Sequence, residues 1–365
     1  MPRVREISFI RKLCSLGFPP QTVAQCLLPE LRKLIASHSA GVFWVDQHGE
    51  MINLYAERML PPDAMAAYYD KHYLIKTESF ADAFRRRAAN ADPTSFHSFS
   101  EAEQNTEYFR DVMQRLDAYH VLYGIIKEGI RPIAQISFYR GQADKPFDRD
   151  SADTLRSVVR YLAAGLRKNA DALPSQEAAL VIDEELGIVS RTGAMIIAPE
   201  RWRRLLRLAA LAEVSPRHAV REHEFMELFI KRVCEGALSK GPGNRSPAQV
   251  VYETAWGRFV IRVFNLLEDP SIHSQEELGL LIRREEPRAL SLVRGTGVAA
   301  LSPQQREVAL LIASGKSNRE IADELGLSFN TASSHVKQVY ARLEVNERSD
   351  VEIKLLHLAQ SAVAH

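Results

Sequence analysis

The sequence predicts an α+β protein in which modules built on antiparallel sheets precede an all-α domain of four helices. Three observations carry this. Short apolar runs joined by glycine corners lie near residues 42–54 and 121–140. The same theme returns at 178–189 and 249–267, and after residue 301 the pattern becomes amphipathic helices bounded by serine and glycine. A chain of 365 residues is expected to hold more than one core, since domains usually run to roughly 100 to 200 residues.

Residues 1–37 read as a helical lead-in of two amphipathic helices, broken at "GFPP", where glycine and paired prolines interrupt a helix. From Ala40 the pattern becomes β: "GVFWVD" and "EMINLY" flank a corner at Asp46 to Gly49 that reads as a hairpin. A helix-rich stretch over about 63–119 follows, then "VLYGIIKE", a Gly129-Ile130-Arg131-Pro132 turn and "IAQISFYR". An amphipathic helix capped by Asp148 or Asp150 closes this first module, assigned to 38–172. In the second module, 173–293, "AALVIDEELGIV" reads as two strands parted by an acidic corner and Gly187, "RWRRLLRLAAL" as a helix with solvated arginines, and "QVVYETAWGRFVIRVFNLL" as strands turning at Gly257. "RREEPRALSLV" reads as a last strand, and "RGTGVAA" supplies a flexible linker at 294–300 before the domain 301–365.

Bulk properties exclude several classes. No apolar run approaches the ~20 residues needed to span a bilayer, and the charges of "MPRVREISFIRKLCSLGF" lie inside its apolar stretch, unlike a secretory signal. A cytoplasmic location is expected. Cys14, Cys26 and Cys234 are odd in number and lack CxxC spacing, so they are assigned to packing. The net charge of +1 gives no global pull toward nucleic acid, so an argument for DNA must rest on local pattern.

That pattern lies in the C-terminal domain. Ser302 and Pro303 open a first helix that ends at Gly315; Ser317 caps a second, with Ile321, Ala322 and Leu325 apolar; Gly326 allows a sharp turn; and Ser328 caps a third. In the third helix Ala332, Val336, Val339, Tyr340 and Leu343 share an inner face, leaving Thr331, Ser333, Ser334, Lys337 and Gln338 outside. Short polar side chains let a helix sink into the roughly 12 Å wide major groove. Residues 302–365 carry seven Lys and Arg against eight Asp and Glu, yet 329–343 holds Lys337 and Arg342 and no acid.

This segment resembles the LuxR/GerE type of helix-turn-helix domain. It matches that family's pattern at Leu301, Ser302, Glu307, Val308, Leu311, Ala313, Gly315, Ser317, Asn318, Glu320, Ile321, Ala322, Leu325, Ser328, Thr331, His335, Leu343, Val345 and Arg348, while Ala332, Val339 and Arg342 replace its Val, Ile and Lys. The resemblance implies a four-helix module whose third helix reads the major groove. Ser333, Ser334 and Lys337 then stand where bases are reached, and Lys316, Asn318, Thr331, His335 and Arg342 where phosphates are held. It also implies that a last helix over 348–360, with Val351, Leu355 and Leu358, supports dimerisation.

The first module resembles a GAF domain in "FWVDQHG", its helical middle and "FDRDSADTLRSVVRYLAAGL". Such domains hold a small ligand between sheet and helices, which makes Trp44, Tyr55, Tyr68, Tyr69, Tyr73 and Phe138 candidate pocket walls. "YYDKHYLIKTESF" is similar to the acyl-homoserine-lactone receptors of the LuxR group but has Lys76-Thr77-Glu78 where they place Asp-Pro. The second module resembles a PAS domain. A phospho-receiver is excluded, because no Asp lies between Asp183 and Asp269 to accept the phosphoryl group. His218 and His223 are spaced wrongly for one helix face, "GKS" at 315–317 lacks the first P-loop glycine, and no GxSxG or HExxH occurs, so no metal or cofactor is expected.

The expected function is sequence-specific binding of double-stranded DNA by a non-enzymatic transcriptional regulator, a homodimer responsive to a small apolar ligand. The competing reading is an enzyme tethered to DNA by its C-terminal domain. A second stripe for dimerisation, Leu155, Val158, Val159 and Leu162, lies on the helix from 150 to 168.

Overall fold

The computed structural model describes residues 2–15, 17–58, 65, 68–73, 80–90, 92, 94–167, 179–211, 214, 221–238, 248–266 and 277–363. Its contacts divide into two compact units, one of residues 10–173 and 210–229, the other of residues 1–9, 174–209 and 230–365. Mixed helix and sheet followed by a helical C-terminal domain is the architecture observed.

The first unit is built on strands β1 (Ser39–Val45), β2 (Met51–Ala56), β3 (Thr94–Ser98), β4 (His120–Glu128) and β5 (Arg131–Arg140), in the order β2-β1-β5-β4-β3. All of its strand pairs are antiparallel. The β1–β2 corner closes because Asp46 accepts from the backbone N–H groups of His48 and Glu50 and Gly49 adopts φ 82°. Helices α1 (Pro2–Cys14) and α2 (Pro20–Ile35) come first in the chain, and α2 packs on the unit's closing helix. Far from being a lead-in, α2 buries Val23, Leu27, Leu28 and Leu31 completely or nearly so. The middle stretch holds α3 (Phe80–Ala89), the short α4 (Glu101–Gln104), π-helical turns at Tyr68–Tyr73 and Phe109–Met113, and the strand β3, which helical patterning did not foretell. Helix α5 (Arg149–Leu166) is capped by Asp148, whose side chain accepts from the Ser151 N–H. It lies on one face of the sheet, where Trp44 donates its indole N–H to the Leu166 carbonyl at 2.9 Å.

The second unit repeats this topology. Strands β6 (Ala179–Ser190), β7 (Met195–Ile197), β8 (Ala248–Thr254), β9 (Gly257–Asn265) and β10 (Glu277–Pro287) lie in the order β7-β6-β10-β9-β8, the same local order as in the first sheet. Helices α6 (Glu200–Ala210) and α7 (Glu222–Leu238) belong to the same stretch of chain. Three expectations are corrected here. From Ala179 onward "AALVIDEELGIV" is a single strand, because β10 pairs with it continuously on either side of one bulge and Gly187 sits inside it, beneath the Trp202 ring. Asp183 is buried and accepts from Arg201 and Arg204, so these two α6 arginines neutralise a buried carboxylate and are not merely solvated. The last strand stops at Pro287, and the glycine-containing "RGTGV" lies in helix α8 (Arg288–Val298), where a flexible linker had been expected.

Helix α8 passes directly into the C-terminal helices α9 (Pro303–Ala313), α10 (Asn318–Leu325), α11 (Phe329–Leu343) and α12 (Arg348–Val363). Close approach overrides the flexibility that glycine would otherwise give. A Cβ on Gly295 would overlap the Leu355 carbonyl, and only a residue lacking one lets α8 reach the α12 backbone.

Candidate nucleic-acid interface

The C-terminal helices are fixed at their ends by side chains the sequence had placed there. Ser302 and Gln305 form a reciprocal cap on α9, with the Ser302 N–H donating to Gln305 at 2.9 Å and the Gln305 N–H to Ser302 at 3.3 Å. Ser317 and Glu320 do the same on α10, and the bonds from Ser317 hold the Glu320 carboxyl below the usual carboxylate range. Gly326 then turns the chain at φ 62°, a left-handed conformation with open space around it. The Ser328 side chain accepts from the Thr331 N–H at 3.1 Å and starts α11. Ala332, Val336, Val339 and Leu343 bury the inner face of α11, while Tyr340 is only half-buried. The outer face of α11 is free of carboxylates along its length.

Comparison with known proteins gives this arrangement a family. Residues 299–354 match the model of the bacterial regulatory proteins of the luxR family. Residues 299–354 form a LuxR-type regulatory domain. Over 56 residues the chain is 39% identical to the putative HTH-type transcriptional regulator YhjB of Escherichia coli K12; the alignment takes in 15% of this chain and 28% of YhjB. Over 71 residues it is 31% identical to the transcriptional regulatory protein LiaR of Bacillus subtilis 168, covering 18% of this chain and 34% of LiaR. The chain thus spans about a third or less of the length of these relatives. A solved structure, the photoproduct state of GAF3 from Slr1393 of Synechocystis sp. PCC6803, aligns with 40% of this chain at 15% identity and a TM-score of 0.31.

Within the LuxR-type domain, Ser334, Lys337, Thr331 and Arg342 are exposed, whereas Ser333, His335, Lys316 and Asn318 are half-buried. Ser333 and Asn318 face each other, with the Asn318 amide donating to the Ser333 hydroxyl at 3.4 Å. Arg348 donates to the Asn318 side chain at 3.1 Å and also to the Lys316 carbonyl. These contacts tie the start of α10 to α11 and α12, so Asn318 and Ser333 have a structural task inside the domain. The Lys316 ammonium lies 3.7 Å from Glu320, and His335 Nδ1 is buried with no hydrogen-bond partner among the described residues. Gln338 is exposed, yet its side-chain oxygen accepts from Gln305 at 3.0 Å. Sequence reading missed Asn330. It is exposed four residues before Ser334 and seven before Lys337, and that helical spacing was the available signal.

Helix α12 departs from expectation. Val351, Leu355 and Ala359 are fully buried, Leu358 is only half-buried, and α8 of the same chain covers this face. Arg288 of α8 also pairs with Glu352. The stripe expected to meet a second copy is therefore occupied. The α5 stripe is occupied as well: Leu155, Val158 and Leu162 are fully buried, and Leu155 packs over Gly124 of β4.

The first unit contains a cavity of about 370 Å³ on the sheet face opposite α5. Cross-strand pairs share a face, so Phe43 with Gln135, Tyr123 with Ser137, and Val121 with Tyr139 form its floor. Of the predicted walls, Tyr68 lines the cavity. Trp44 and Phe138 do not. They sit one residue out of phase on their strands and point to the α5 side, since alternate strand residues face opposite ways. Tyr55 is half-buried on β2 and outside the lining, and the side chains of Tyr69 and Tyr73 lie outside the described residues. His218 and the 76–78 stretch also lie outside them. Burial pushes the Tyr108 and Tyr139 hydroxyls up from the ordinary tyrosine range, so both stay neutral hydrogen-bonding groups within the lining.

No helix among the described residues is long and apolar enough to cross a membrane.

Proposed function

We propose that this protein is a transcriptional regulator that binds specific double-stranded DNA through α11, as a homodimer, and that its sheet-based modules respond to a small ligand without catalysing a reaction. The observation that carries the DNA reading is the exposed, acid-free outer face of α11 in a LuxR-type domain, where Asn330, Ser334 and Lys337 follow one another at helical spacing. An amide, a hydroxyl and an ammonium can all meet base edges in a major groove. Arg342 and Thr331 flank them and suit phosphates, whose contacts set position and register.

The homodimer rests on recognition arithmetic. One helix reads only a few base pairs, and regulators need about 10³-fold or greater discrimination over other DNA. With the α5 stripe and one face of α12 covered within the chain, a dimer contact has to use other surface, such as the outer side of α12, where Ile353 is 66% exposed. The ligand part of the proposal rests on the cavity in the first unit. A PAS-like role for the second module rests on its repeat of the first module's strand order.

Replacing Lys337 by alanine tests the DNA reading. Measured by fluorescence anisotropy against a bound site and a scrambled duplex, the variant should lose roughly 1 to 3 kcal/mol of specific affinity while affinity for the scrambled duplex hardly changes. Unaltered binding to both would remove α11 from the interface. Equal losses on both would assign Lys337 to the phosphates.

A further inference from the structure

The cavity in the first unit has a polarity that its apolar walls conceal. Methionines Met51, Met65 and Met113 give it adaptable apolar sides. Its cationic lining comes from Arg58 and Arg87, His97 lies beside them, and no Asp or Glu lines it among the described residues. His97 is spoken for by Glu103, 2.9 Å away on the outer side, and Arg58 donates to the Leu116 carbonyl at 3.3 Å. Arg87 differs. It comes from the last turn of α3, lies half-buried over the Tyr123 ring at 4.5 Å, and donates one N–H to the Gln135 side-chain oxygen at 2.9 Å. No carboxylate of the described residues pairs with it.

Behind it runs a chain of polar groups on the sheet floor. Gln135, itself buried, donates its amide to the Ser137 hydroxyl at 3.1 Å. The chain holds Gln135 so that its oxygen faces Arg87, which in turn fixes the planar guanidinium over Tyr123. A guanidinium presents five N–H donors, and a single neutral acceptor leaves most of that fork for another partner. A half-buried cation in an apolar cavity favours an anion there, and the fork geometry suits a carboxylate.

Building on the ligand-sensing reading above, we propose that the cavity takes an amphipathic carboxylate, with the carboxylate on Arg87 and an apolar or aromatic body against Met51, Met65 and Met113. Cations of the same shape are rejected, because among the described residues the lining offers them no anionic partner.

Calorimetric titration of the full chain with matched probes decides this. Decanoate, decanol and decylammonium share one tail and differ in the head; 2-naphthoate and 2-naphthol repeat the comparison with a rigid body. Each carboxylate should bind at least 10-fold more tightly than its alcohol, and decylammonium should not bind. Arg87→Met, which keeps the aliphatic stem, should remove that preference while leaving the alcohol's affinity in place, and Arg87→Lys should restore part of it. The melting temperature of each variant without ligand checks its fold. Equal binding of carboxylate and alcohol, or a preference that survives Arg87→Met, overturns the anion assignment alone. If none of the five probes binds, the cavity is no ligand site for such molecules, and both this inference and the ligand-sensing reading fall.

Discussion

Replacing Gly295 by leucine should destabilise the C-terminal part of the protein by about 3 kcal/mol or more, at the upper end of what overpacking costs. Gly295 lies in α8 where that helix meets α12, and an added Cβ would stand 2.7 Å from the Leu355 carbonyl carbon and closer still to its oxygen. The obstacle is backbone, which cannot rotate aside as a side chain tip can. The helices would have to separate, exposing Val351, Leu355 and Ala359 on one side and Leu290 and Val293 on the other. Gly236 supplies the matching control. It lies inside α7 with nothing within 4 Å of an added Cβ, so Gly236→Ala should stabilise by roughly 0.5 to 1 kcal/mol through helix propensity. Chemical denaturation of both variants, read alongside amide exchange in α8 and α12, checks the pair. A Gly295→Leu protein as stable as the parent would show that α8 does not pack on α12 as described.

The second large effect is expected at Trp202. Its ring is fully buried, it donates its indole N–H to the Leu280 carbonyl at 2.9 Å, and it lies over Gly187, where a Cβ would come within 2.8 Å of the indole nitrogen. Trp202→Ala should cost about 3 to 5 kcal/mol, the range for truncating a buried large aromatic residue. Trp202→Phe should fall between the two, because it keeps most of the apolar volume but leaves the Leu280 carbonyl without its donor, at about 1 to 3 kcal/mol. Urea unfolding followed by far-ultraviolet circular dichroism gives the order. If alanine and phenylalanine cost the same, the hydrogen bond rather than the packing dominates.

The parts of the fold legible in the sequence are those whose cause is local. Ser302, Ser317 and Ser328 cap helices because their hydroxyls reach a free N–H three residues on, and Gly326 turns the chain because it alone adopts a positive φ without a Cβ penalty. Asp148 and the Asp46 to Gly49 corner follow the same logic. What was missed depends on groups distant in sequence. Gly187 and Gly295 read locally as a corner and a linker, yet each is a glycine because Trp202 or the Leu355 backbone occupies the space a side chain would need. The arginines of α6 read as solvated until Asp183, some 20 residues earlier, proved to be buried beneath two of them.

For the candidate sites the division is similar. The outer face of α11 was visible in its spacing, but the engagement of Ser333 with Asn318 and of Gln338 with Gln305 depends on how neighbouring helices meet. The cavity aromatics were chosen on the right strands and the wrong phase at Trp44 and Phe138, since the sheet has helices or turns against both faces and apolar residues on both, which erases the alternation that would have told them apart. Arg87 gave no signal at all. Within "FADAFRRRAA" it is one of three adjacent arginines, and only the fold sets it apart by placing it over Tyr123 and Gln135.

Selection from a randomised duplex pool with the full-length protein tests the central claim most directly. Pools carried through several rounds at physiological salt and sequenced should converge on one motif with two inverted half-sites about a helical turn apart, and a variant carrying Ser334→Ala and Lys337→Ala should lose or change bases within those half-sites. A pool that stays as random after selection as before, or converges on the same motif whether or not α11 is altered, would contradict the assignment of this protein as a sequence-specific DNA-binding regulator acting through that helix.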